Sequence, residues 1–153
     1  MQNFDFTPLA NASQDFAHQS FNHFVATANQ MGELVRTFLQ ESSSNASKAL
    51  APAASADAFA NVGAAAAKDQ ARATLRYASA TAKLAVEHAQ HNVQSAQELA
   101  EHSASHWKAA FPSSARFADA LQPTLKAAVS AQEYSSKALL RMAAEWERVA
   151  QSA

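Results

Sequence analysis

Between residues 15 and 40, large apolar side chains recur at steps of three and four. On a wheel of about 100° per residue, Phe21, Phe24, Val25, Ala28, Met31, Val35, Phe38 and Leu39 share one arc. Gln19, Asn22, His23, Asn29, Gln30, Glu33, Thr37 and Gln40 fill the opposite one. This segregation predicts an amphipathic helix over about 15–40, with Ser13 or Asp15 as its N-cap. The apolar face is wider than a two-position coiled-coil seam, so the helix should not stand alone. Ahead of it, Met1 to Ser13 carries Pro8 and turn-forming residues around Phe4, Phe6 and Leu9, which predicts an irregular arm over 1–14. Behind it, Glu41 to Ser55 is rich in serine and contains Pro52, the composition of a hinge.

From about residue 57 to 111 the pattern changes. This stretch has no proline and one glycine, Gly63, and alanine recurs in nearly every turn. Alanine with Lys, Arg, Gln, Glu and Leu gives high helix propensity, so one long helix is predicted, capped by Ser55 or Asp57. Small and apolar residues line up along it at Leu75, Ala78, Ala82, Ala85, Ala89, Val93, Ala96, Ala100, Ser103, Trp107 and Ala110. Steps of three and four alternate along that line, with a stutter at Ala85, Ala89 and Val93. An alanine seam permits close helix approach but offers little area per residue. A rod of this length needs partners along it, either folded back on the rest of the chain or extended.

Pro112 is expected to close the long helix, with Ser113 and Ser114 capping a short turn through Phe117 and Leu121. Pro123 suits the first residue of a last helix, over about 123–151. There Leu125, Val129, Leu139, Leu140, Met142, Trp146 and Val149 fall on one side and Lys126, Glu133, Lys137, Arg141 and Arg148 on the other. The fold class expected is therefore all-α: an elongated helical hairpin or bundle with a long Ala-rich central helix and coiled-coil-like seams, forming a single helical domain over 15–153.

Composition sharpens this picture. The chain is 48% hydrophobic, yet Leu, Val and Phe together number 27 of 153 residues and isoleucine is absent. Such a core is thin, and stability is expected mainly on assembly or adsorption. A formal net charge of −1 without a dense Lys/Arg cluster argues against nucleic acid as a partner. Lys68, Arg72, Arg76 and Lys83 are the nearest candidate cluster, and read as a solvated helix face. No cysteine is present, which suits a reducing cytoplasm. The first basic residue is Arg36, so no secretory n-region is expected, and no apolar run is long enough for a transmembrane segment.

Candidate chemistry is sparse. His88, His91, His102 and His106 fall on one face of the long helix, opposite the alanine seam and expected to face solvent. The Glu-x-x-His spacing of di-iron bundles is missing, since Glu87 to His91 and Glu98 to His102 are each one residue too long, so no metal or other cofactor is expected. Two isolated glycines cannot build a phosphate-cradling loop or a Gly-x-Ser-x-Gly elbow, so no catalytic residues are assigned. What remains is amphipathicity, with polar faces carrying Gln, Asn, Ser and mixed charge in place of a basic excess. That combination favours a neutral apolar surface over an anionic bilayer.

From Ala28 to Ala110 the chain resembles the phasins, which coat polyhydroxyalkanoate storage granules in bacteria. The likeness rests on the amphipathic first helix and on Lys48-Ala49-Leu50 leading through Ala54-Ser55-Ala56-Asp57-Ala58 into the long Ala-rich helix, with Arg76-Tyr77-Ala78 at an aromatic position. After Pro112 the chain departs from the family, and the basic tail of some members is missing. The resemblance implies a non-enzymatic protein at the granule surface in the cytoplasm, with a hydrophobic polyester as partner; the coiled-coil-like seams add the expectation of a homo-oligomer, dimer to tetramer. Phe21, Phe24, Val25, Met31, Val35, Phe38, Leu39, Leu139, Met142 and Trp146 are the expected surface-binding residues. The alternative from the same residues is an intracellular helical assembly or adaptor protein without a polymer partner.

Overall fold

The structure is a computed structural model that describes residues 5–111 and 115–152, apart from the side chains of residues 115, 117, 118 and 121. It is all-α: α1 spans Thr7–Ala49, α2 spans Ala56–Ala110 and α3 spans Ala115–Ser152. In place of the single domain expected over 15–153, the chain divides into two compact units. One comprises Met1–Ala26 with Glu87–Lys137, the other Thr27–Val86 with Ala138–Ala153. Each helix contributes a segment to both.

The helix boundaries differ from the sequence pattern for local reasons. Residues 7–14 are helical, not part of an irregular arm. The N-cap is Asp5, whose Oδ1 accepts the Thr7 amide at 2.9 Å, and this lowers the Asp5 carboxyl below its usual range. Pro8 then falls in the first turn, where amides have no intrahelical partner to lose. At the other end α1 continues nine residues past Gln40 to Ala49, absorbing most of the expected hinge. Serine-rich sequence is compatible with a helix once its hydroxyls bond back to the backbone, as Ser47 does to the Ser43 carbonyl at 2.9 Å. The break comes at Leu50 to Ser55, where Pro52 cannot extend the helix. Ser55 Oγ caps α2 by accepting the Ala58 amide at 3.1 Å, and Asp57 lies in the first turn, complementing the helix dipole.

The expected closure at Pro112, with Ser113 and Ser114, lies outside the described residues. Beyond it the backbone of 117–121 is helical where a turn through Phe117 and Leu121 was expected, and Pro123 sits inside α3. An interior proline costs one backbone hydrogen bond and does not by itself end a helix when the flanking residues are held elsewhere.

The inward sides of the helices follow two different spacings. Along α1 the less exposed positions are Leu9, Ala12, Phe16, Ser20 and His23, then Thr27, Met31, Leu34, Phe38, Ser42 and Asn45. Steps of three, four and four repeat throughout, an 11-residue period. Along α3 they are Leu125, Val129, Gln132, Ser136, Leu139, Ala143, Trp146 and Ala150, a seven-residue period.

Buried positions are small. In the second unit the core is made of Ala66, Ala73, Ser79, Ala82, Leu84, Val86, Ala143 and Ala150, with the polar Asn45. In the first unit the fully buried side chains among the described residues are Ser95 and Ser136. The chain exposes 10609 Å², against about 7500 Å² expected for a compact monomer of its mass. Less apolar surface is withdrawn from water than in an ordinary domain of this length.

Candidate functional site

The apolar arc of α1 is not what packs against α2. In the first unit Phe21 is 64% exposed and Phe24 60%, with Val25 also open to solvent. In the second unit Val35 and Leu39 are likewise exposed. The inward line of α1 lies roughly 100° around the helix from the centre of this arc, so only its edge residues Met31 and Phe38 turn toward the interior. Phe38 stacks on Tyr77 with ring centroids 4.8 Å apart. Of the α3 residues expected at the surface, Met142 is exposed while Leu139 and Trp146 are half-buried in the seven-residue line. Met31, Phe38, Leu139 and Trp146 therefore face into the protein, and Phe21, Phe24, Val25, Val35, Leu39 and Met142 face out.

The expected packing line of α2 also needs correction. Ala82 is buried and Leu75, Ala78, Ala89, Val93 and Ala100 are partly covered, but Ala85, Ala96 and Trp107 are exposed. The reason is that α2 is covered on two sides, so one stripe cannot describe it. In the second unit Ser79 and Lys83 meet Glu147 of α3, at 3.0 and 2.6 Å. Gln70, Asp69 and Arg76 meet α1, through Ser42 at 2.9 Å, Lys48 at 3.3 Å and Glu41 at 3.1 Å.

The same two-sided cover overturns the solvent-facing reading of the α2 histidines. His23, placed by the wheel on the polar side of α1, packs in the first unit against His91 at 3.8 Å and His88 at 5.1 Å between ring centroids. His106 Nε2 donates to the Asp5 carbonyl at 3.1 Å, leaving His102 exposed. His23 and His88 lie parallel within 5° and present ring faces to each other. Among the described residues no group of three or more His, Cys, Asp or Glu is arranged to hold a metal ion. The line Ser20, His23, Thr27 at the period of α1's inward side was the one sequence signal for this contact, and it is visible only once small polar residues are allowed as interior positions.

Three of the four basic candidates are paired within the second unit. Arg72 pairs with Asp69 at 3.5 Å, Arg76 with Glu41 and Lys83 with Glu147. Lys83 and Ser79, bonding to Glu147, hold its carboxyl below the usual range. A shallow cleft of about 300 Å³ bordered by Glu41, Lys48, Asp69 and Arg76 contains both signs of charge and so offers no anion-selective surface. No helix among the described residues is long and apolar enough to cross a membrane. The outward apolar face of α1 is a feature left without an internal role. No family model matches the chain, and neither a curated protein nor a solved structure matches it.

Proposed function

We propose that this chain is a non-enzymatic coat protein of polyhydroxyalkanoate granules, of the phasin kind, adsorbing to the polyester through the outward face of α1 and limiting coalescence. The observation that carries this reading is an inverted distribution of size: phenylalanines at 21 and 24 stand in solvent while Ser79, Ser95 and Ser136 are buried. Each large side chain transferred from water to an apolar surface contributes roughly 1.5–3 kcal/mol. Three or four such residues per unit are enough for adsorption when many copies line a surface. Beside the face, Asn22 and Asn29 are uncharged and Arg36 pairs with Glu33, which suits a neutral polymer and gives little attraction to anionic lipid. Away from the granule the same face is covered by further copies of the chain, as a dimer to tetramer.

Sedimentation with purified polyhydroxybutyrate granules tests the reading. Wild-type protein is expected to pellet with the granules and Phe21→Glu/Phe24→Glu to remain in the supernatant. If the wild type stays in solution, or both pellet alike, the coat reading fails. A concentration-dependent oligomer with no granule binding would favour the adaptor reading instead.

A further inference from the structure

We propose that the three imidazoles of His23, His88 and His91 form an acid-sensitive latch that holds the N-terminal part of α1 against α2 near neutral pH and releases it under mildly acidic conditions. This inference concerns the first unit alone and stands apart from the polyester reading.

The geometry disfavours a charged ring at His23. His23 lies 3.8 Å from His91 and 5.1 Å from His88, centroid to centroid. Two positive charges at such distances repel by several times the thermal energy under the screening typical near a protein surface. His23 Nε2 is buried without a hydrogen-bond partner, so an added proton there would point at no acceptor. On the opposite helix the Asn92 amide donates to His88 Nε2 at 3.1 Å, which requires a lone pair on that nitrogen. His91 Nε2 lies 3.5 Å from the hydroxyl of the buried Ser95.

The charged groups acting on His23 all come from α2. Burial lowers its proton affinity most, followed by the charges of His91 and His88, and Glu87 opposes them. A histidine whose folded-state pKa is lowered binds fewer protons than it does in the unfolded chain. Stability is then complete above the unfolded value, about 6.5, and is lost as pH falls below it. The lowered carboxyls, Asp5, Glu145 and Glu147, act in a separate and more acidic window, below their ordinary values of 3.8 and 4.5. Little else resists opening, because no large apolar side chain among the described residues of this unit is fully buried.

The test is hydrogen exchange of the full chain at pH 7.5 and 5.5, corrected for intrinsic exchange rates, with imidazole titrations followed by NMR. Amides of residues 12–26 in the wild type are expected to lose protection several-fold and by at most about tenfold, the limit for one imidazole at a pH one unit below its ordinary value, with His23 titrating below 6.5. His23→Leu should remove the pH dependence and keep the protection. Should that variant fold poorly, His88→Gln/His91→Gln serves the same purpose with α1 intact. Equal protection at both pH values in the wild type, or an equal loss in either folded variant, overturns the latch.

Discussion

Ser79 on α2 donates its hydroxyl hydrogen to Glu147 Oε1 on α3 at 3.0 Å, from a site with no exposed surface. A hydroxymethyl group fills that point completely, so anything larger must displace its neighbours. Ser79→Leu is expected to destabilise by about 1–3 kcal/mol through overpacking, while Ser79→Ala, which fits the space, costs much less. Urea unfolding followed by circular dichroism distinguishes the two.

Glu147 also accepts from Lys83 Nζ at 2.6 Å, and these bonds lower its pKa in the folded state. A carboxyl of that kind adds stability above its unfolded pKa, and the addition disappears as pH falls through the folded one. Thermal melting between pH 6 and 3 should therefore show a decline beginning below about 4.5. Lys83→Gln should make that decline shallower. A slope identical in the two proteins would contradict the assignment.

Phe21 and Phe38 were equivalent in the sequence and are opposite in the structure. Phe38→Ala is expected to cost about 1–3 kcal/mol, below the range for a fully buried phenylalanine because the residue is half-covered against Tyr77. Phe21→Ala should leave stability within about 0.5 kcal/mol and reduce granule binding. Paired denaturation and sedimentation measurements on both variants check the division of roles.

Gly32 and Gly63 lie inside helices, neither has positive φ, and a Cβ built at either meets nothing within 4 Å. Gly→Ala at each position should stabilise by about 0.5–1 kcal/mol through helix propensity and reduced unfolded-state entropy. Melting temperature of the single variants is the measurement. A decrease at either position would mean that a neighbour occupies the apparently open space.

Pro123 is the ninth residue of α3. Pro123→Ala restores an amide donor and is expected to raise stability by about 1–3 kcal/mol. Exchange protection of the amides on either side of the position would rise with it.

The three helices were legible because propensity and periodicity agreed over long stretches, and the Ala-rich run from 57 onward left little alternative to helix. Boundaries were less legible: Asp5 as a cap, serines 42–44 in helical geometry and Pro123 in a helix interior each depend on packing that overrides local preference. The orientation of α1 was hidden for a different reason. A wheel finds where apolar residues gather and assumes that this side turns inward, whereas here Ser20, His23, Thr27 and Asn45 face in and Phe21, Phe24 and Leu39 face out. The double covering of α2 was hinted at only by Leu84 and Leu99 on its histidine side, of which Leu84 is buried, since a helix made largely of alanine can present more than one acceptable contact line.

The different periods of α1 and α3 give α2 two unlike neighbours. A seven-residue line favours a left-handed twist, whereas an 11-residue line is slightly right-handed and close to straight. Within each unit α2 therefore meets its two companions at two different pitches.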